Sequence, residues 1–172
     1  DPDLNLRCWR YGDPGIGAVH PIQRYVDGLL EVKEPELLVF AAIVGIPVDL
    51  VPSGDAEPNY AALVSPEEMV RDPRMWENPD PAMPAQLEPS CSVPGRGVAY
   101  PPVRIVRTAQ ALAEAEASTV IQSICQDDYS GALDAIIAKI ADVLSATCLP
   151  RPLNQDSEGR VLCDVVEVLP LE

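Results

Sequence analysis

At 172 residues and 47% apolar, the chain is long enough for one domain with a hydrophobic core, too short for two of ordinary size, and too apolar for general disorder. A net charge of −15 repels phosphate backbones and anionic lipid headgroups, which excludes nucleic acid and membrane surfaces as expected partners and leaves cations or basic protein surfaces. With one Phe and five Tyr, the core must be filled by Val, Ile, Leu and Ala.

Residues 1–17 contain Pro2, Gly12, Pro14, Gly15 and Gly17 without periodicity and read as an ordered loop or as the tail of a connection. Asp1 has no basic and apolar leader before it, so a signal peptide is expected to have been removed or to lie outside this sequence. From Pro21, the apolar residues Ile22, Tyr25, Val26, Leu29 and Leu30 recur at helical spacing, which predicts an amphipathic helix over 20–33. Residues 37–45 are continuously apolar, as expected of a central strand covered on both faces. That run is far shorter than the roughly 20 residues needed to cross a bilayer.

Residues 52–101 form a proline-rich insertion in which long helices and central strands are excluded, so it is expected to be irregular and surface-lying. Within it, Ser65-Pro66-Glu67-Glu68 has the form of a helix start and predicts a short helix over 66–71. Order resumes with a predicted helix over 102–116, a β-branched strand over 118–125, and a helix over about 129–147. The last helix is expected to bury Leu133, Ile136, Ile137, Ile140, Val143 and Leu144. An edge strand over 161–169 closes the chain.

Helix, buried strand, helix, strand, helix is the rhythm of a three-layer, doubly wound α/β domain with a mostly parallel sheet. Two core strands cannot cover three helices. The 172 residues are therefore read as a single α/β domain or the C-terminal part of one, with further strands expected from an N-terminal half or from another chain.

The five cysteines fall at element ends or in turns, without a CxxC or a Cys/His cluster, and read as staples of an extracytoplasmic domain. By position, Cys91 with Cys125 would pin the proline-rich loop to the sheet end, and Cys148 with Cys163 would fasten the last strand to the last helix. Cys8 is left unpaired or pairs outside the chain. The alternative is five buried free thiols in a cytosolic protein.

No catalytic signature appears, and no enzyme is expected. The single histidine, His20, precedes Pro21 without a partner motif and reads as a capping or surface residue. The glycine-rich run 12–17 lacks the Lys-Ser/Thr of a phosphate loop. Asp127 and Asp128 follow a strand's carboxyl end and are candidate ligands for a divalent cation. Helix capping is the better reading of that pair, and no cofactor is expected.

The blocks LRCWRYG at 6–12, PIQRYVDGLLEVK at 21–33, LLVFAAIVGIPV at 37–48, SICQDDYSGALDAIIAKIADVL at 123–144 and CLPRPL at 148–153 resemble the second half of von Willebrand factor A-like domains. The domains in question belong to secreted and lipid-anchored bacterial surface proteins, especially of myxobacterial type. That resemblance implies a doubly wound sheet and protein or matrix binding, often through a cation held by an Asp-x-Ser-x-Ser motif after the first strand. No residue here corresponds to that motif, so metal-dependent adhesion is not carried over. The resemblance also implies that Cys8 pairs with a cysteine upstream. The expected function is a non-enzymatic protein-interaction module, either a surface adhesion domain or a structural subunit of an assembly, with 52–100 as its contact surface. The alternative is a small-molecule or cation-binding domain, or an enzyme, using the strand ends at Gly45, Ile46 and Pro47 and from Cys125 to Asp128.

Overall fold

A computed structural model describes residues 6, 9, 19–54 and 56–146. The expectations placed on residues 1–5, on Cys8, Cys148 and Cys163, and on the strand at 161–169 lie outside the described residues, as does most of the N-terminal loop.

Helix α1, Gln23–Val32, buries Val26 and turns Leu29 and Leu30 toward the interior, as its spacing requires. After a 3₁₀ turn at Pro35–Leu37, strand β1 runs Val39–Val44. It pairs in parallel with a later strand, Ser118–Ser123, so that Val39 faces Ser118 and Val44 faces Ser123. A parallel pair needs a long crossover. Here the crossover contains helix α2, Tyr60–Val64, the antiparallel hairpin β2, Cys91–Val93, with β3, Gly97–Ala99, and helix α3, Val103–Glu114. The returning strand is β4, and helix α4, Ser130–Ala146, follows it. The protein is thus a mixed α/β fold with a small parallel sheet and helices packed against both strands.

Helix α3 buries Val103, Val106, Ala109 and Leu112. It stops where Ala117 N–H reaches back to the Leu112 carbonyl and Glu116 N–H to the Ala113 carbonyl, each at 3.0 Å. Glu116 takes the left-handed conformation (φ 70°) that this helix ending requires and that glycine usually supplies. Leu112 and Ala117 then share one apolar cluster with Val26, which fixes the entry of the chain into β4.

Alternation along the strands sends Phe40, Ala42, Val44 and Ile121 to one face. The main core lies there, with Ile46, Val103, Val106 and Ala109, and also with Leu63, Val64 and Met75 from the proline-rich segment. The insertion is therefore not merely surface-lying. Its prolines exclude long regular elements, yet two strands and α3 leave one side of the apolar face open, and single side chains from short turns are enough to close it. The short helix also lies upstream of its expected place. Asn59 caps α2 by accepting from Ala62 N–H at 3.2 Å, while 66–71 forms only a turn in which Ser65 Oγ accepts from Glu67 N–H at 3.1 Å. Met69 and Val70 are exposed, so a helix at 66–71 would have no apolar face to bury.

Helix α4 departs further from expectation. Ala132 and Val143 are buried, but Leu133, Ile137 and Ile140 are exposed, Ile137 by 64%. The sheet it covers is only two strands wide among the described residues. A helix on so narrow a platform can bury one narrow stripe, and the small side of α4 takes that place.

Leu63, fully buried, tests the role of the insertion. Leu63→Ala should destabilise the protein by about 3 kcal/mol in chemical denaturation, whereas a surface-lying segment would lose under about 0.5 kcal/mol.

Candidate functional site

Both parallel strands end at one level, and open α/β sheets hold ligands beyond that end. The strand ends are laced together by backbone. Ile46 N–H and Ile124 N–H both donate to the Val44 carbonyl, each at 2.8 Å. The fully buried Ser123 hydroxyl donates to the Ile46 carbonyl and accepts from Cys125 N–H at 3.0 Å.

The β2–β3 hairpin closes over this end. Its turn is Val93-Pro94-Gly95-Arg96, with Arg96 N–H donating to the Val93 carbonyl at 3.0 Å and Gly95 at φ 77°. Pro then Gly at the two central positions is a type II turn signature that was legible in the sequence. Buried Ser90 donates its hydroxyl proton to the Gly45 carbonyl. Gly45 permits that approach, since a Cβ there would stand 2.5 Å from the Tyr100 carbonyl oxygen and 2.9 Å from Ala99 Cβ. The Cys91–Cys125 disulfide, with Cα atoms 6.2 Å apart, ties the first hairpin residue to the chain just past β4.

Arg96, at the hairpin tip, extends over the β4–α4 connection. Its guanidinium donates to the carbonyls of Gln126 and Asp127 and to the Tyr129 hydroxyl, and lies 5.7 Å from the Tyr129 ring centre. Tyr129 in turn donates to the Ile124 carbonyl at 2.6 Å. One arginine thus satisfies backbone carbonyls that would otherwise face the sheet end. Beside it remains an open hollow of about 260 Å³ lined by Val93, Val98, Ile124 and Tyr129.

The structure does not bring Asp127 and Asp128 together as ligands. Both are exposed. Asp128 Oδ1 accepts from the Ser130 N–H at 3.0 Å and from the Ser130 hydroxyl at 2.8 Å, so it starts α4. The Ser130 bonds, the backbone one first, hold its carboxyl below the usual carboxylate range. Among the described residues, no group of three or more His, Cys, Asp or Glu is placed to hold a metal ion. His20 lies on the surface, where Arg24 Nη1 approaches its ring nitrogens to 3.1 and 3.2 Å.

The insertion is held by polar clamps that sequence reasoning missed. Arg74 bonds Asp49 at 2.8 and 2.7 Å and Asp72 at 2.9 and 2.8 Å, and this guanidinium holds both carboxyls below their ordinary range. Buried Arg71 donates to the Met75 carbonyl and stacks 4.4 Å from the Trp76 ring centre. Tyr60 and Thr119 hydroxyls are 2.7 Å apart, and burial pushes the Tyr60 phenol up to about 12. Within the clamped segment Met69, Val70, Met83, Val98 and Tyr100 remain exposed.

No family model, no curated protein and no solved structure matches the chain.

Two glycines give a paired test of the hairpin contact. Gly45→Ala should cost about 2 kcal/mol in denaturant unfolding, because backbone stands in the way. Gly28→Ala, in an open position of α1, should instead gain about 0.5–1 kcal/mol.

Proposed function

We propose that this chain is a non-enzymatic, extracytoplasmic protein-interaction module, a surface adhesion domain or a subunit of a larger assembly. Its α/β frame is the partial, doubly wound von Willebrand factor A-like arrangement that the sequence resembles, and its partner is another protein chain or an N-terminal half of the same precursor. The observation that carries this reading is the outward side of the 52–101 insertion. Exposed apolar side chains stand there on a segment fixed by the Cys91–Cys125 bond, the Gly45–Ser90 contact and the Arg74 clamp. A surface ordered before it meets its partner loses little entropy on binding. The disulfide is compatible with an oxidising compartment.

The reading as a small-molecule or cation-binding domain, or an enzyme, has less support at the strand ends. The hairpin and Arg96 occupy that space, and the two aspartates are exposed to solvent.

Two measurements test the proposal. Alkylation of the protein from its native source before and after reduction, read by peptide mass, should find Cys91 and Cys125 protected until reductant is added; both thiols free would remove the extracytoplasmic argument. Photo-crosslinking residues placed at Met69, Met83 and Val98 should give one recurrent protein adduct in the native setting, with none from control positions Glu31 and Glu114. Adducts of equal yield from all five positions would end the assignment of the contact surface to the insertion.

A further inference from the structure

Away from the sheet end, α1 and α3 diverge around an open apolar groove of about 580 Å³. Tyr25 and Leu29 of α1, Phe40 of β1 and Ile105 of α3 form its walls, and Arg24 and Arg104 stand on the same lining. Its volume lies within the range of small-molecule sites, and so does its make-up, a mostly apolar wall with a few polar groups, set between helices.

Two arginines of the lining converge on one residue. Among the described residues only Arg74 and Lys139 form ion pairs, so Arg24 and Arg104, like most of the described basic side chains, are not bridged to a carboxylate. Both reach His20. Arg24 Nη1 rests on the His20 ring and Arg104 Nη2 donates to the His20 carbonyl, which leaves the other donors of each guanidinium uncommitted among the described residues. An apolar trough with two guanidiniums gathered at His20 is complementary to an amphiphile with a single carboxylate head, since Arg recognises carboxylate through paired charge-assisted hydrogen bonds.

We propose that the groove between α1 and α3 binds a fatty acyl carboxylate, with the carboxylate on Arg24 and Arg104 and the alkyl chain along Tyr25, Leu29, Phe40 and Ile105. This site is separate from the protein-contact surface on the insertion and does not depend on it.

The test is a titration of the full chain with dodecanoate, held below its micelle concentration, followed by calorimetry and by the methyl resonances of Leu29 and Ile105. Saturable one-to-one binding that shifts these methyls is expected. Arg24→Gln and Arg104→Gln should each weaken it about tenfold, the loss of one charge-assisted contact. Ile105→Glu guards against misfolding as an explanation, because Ile105 is 43% exposed, and should abolish binding while leaving thermal unfolding unchanged. Dodecanol and dodecyltrimethylammonium should bind at least tenfold more weakly than dodecanoate. The proposal is overturned by dodecanol binding as tightly, by arginine variants that keep full affinity, or by the absence of saturable binding. It is equally overturned if, in the ligand-free protein, methyl contacts show the groove filled by the chain's own first eighteen residues or, in a concentration-dependent way, by a second copy.

Discussion

The close approach of a hairpin to the end of β1 at Gly45 is the contact on which the rest of the structure depends. Only a residue without a Cβ lets the Tyr100 carbonyl and Ala99 come so near, and Ser90 converts the approach into a hydrogen bond with the Gly45 carbonyl. The Cys91–Cys125 bond then holds the same hairpin to the other strand. With both ends of the insertion fixed, its middle is brought back across the apolar face, and Leu63, Val64 and Met75 fill the core there. A chain with few long elements obtains a closed interior in this way, through local turns rather than an additional layer.

The same arrangement decides which polar and apolar groups face outward. The strand ends carry Arg96, Tyr129 and a laced backbone, whose polar groups are already satisfied by one another. Satisfied backbone in a covered position offers a ligand little to bind. The insertion and the exposed side of α4 instead present apolar residues outward, with Met69 fully exposed. The sheet end, the usual ligand position in open parallel sheets, is thus covered, while the segment that covers it carries exposed apolar side chains.

Charge has a structural role distinct from the excess of acid. Arg74 joins two aspartates from separate turns, Arg96 gathers carbonyls, and Arg71 lies buried over Trp76. The planar guanidinium suits all three tasks, since it donates in several directions while its face stacks on an aromatic ring. Lysine, present only as Lys33 and Lys139, would supply charge without that geometry.

The five main elements were legible in the sequence to within a few residues, because helical periodicity, β-branched runs and breaking prolines are local properties of the chain. The Cys91–Cys125 pairing was also legible, from the positions of the two cysteines on either side of the helix at 102–116 and the strand that follows it. Three features required the tertiary structure. Helix α2 forms at Tyr60–Val64 rather than at 66–71 because Leu63 and Val64 find a core to enter, and a capping pattern without burial does not hold a helix. Among the described residues, the apolar stripe of α4 is exposed because the width of the neighbouring sheet, not the stripe itself, sets how much of a helix is covered. Asp127 and Asp128, adjacent in sequence, part in role because Arg96, distant in sequence, takes the Asp127 carbonyl while Asp128 starts the next helix. Sequence by itself determined which segments are regular and which cysteines flank the third helix and the strand after it, since those follow from neighbours along the chain. Only the tertiary structure decided what the sheet end holds and which apolar faces meet solvent, since both depend on groups brought together from far apart.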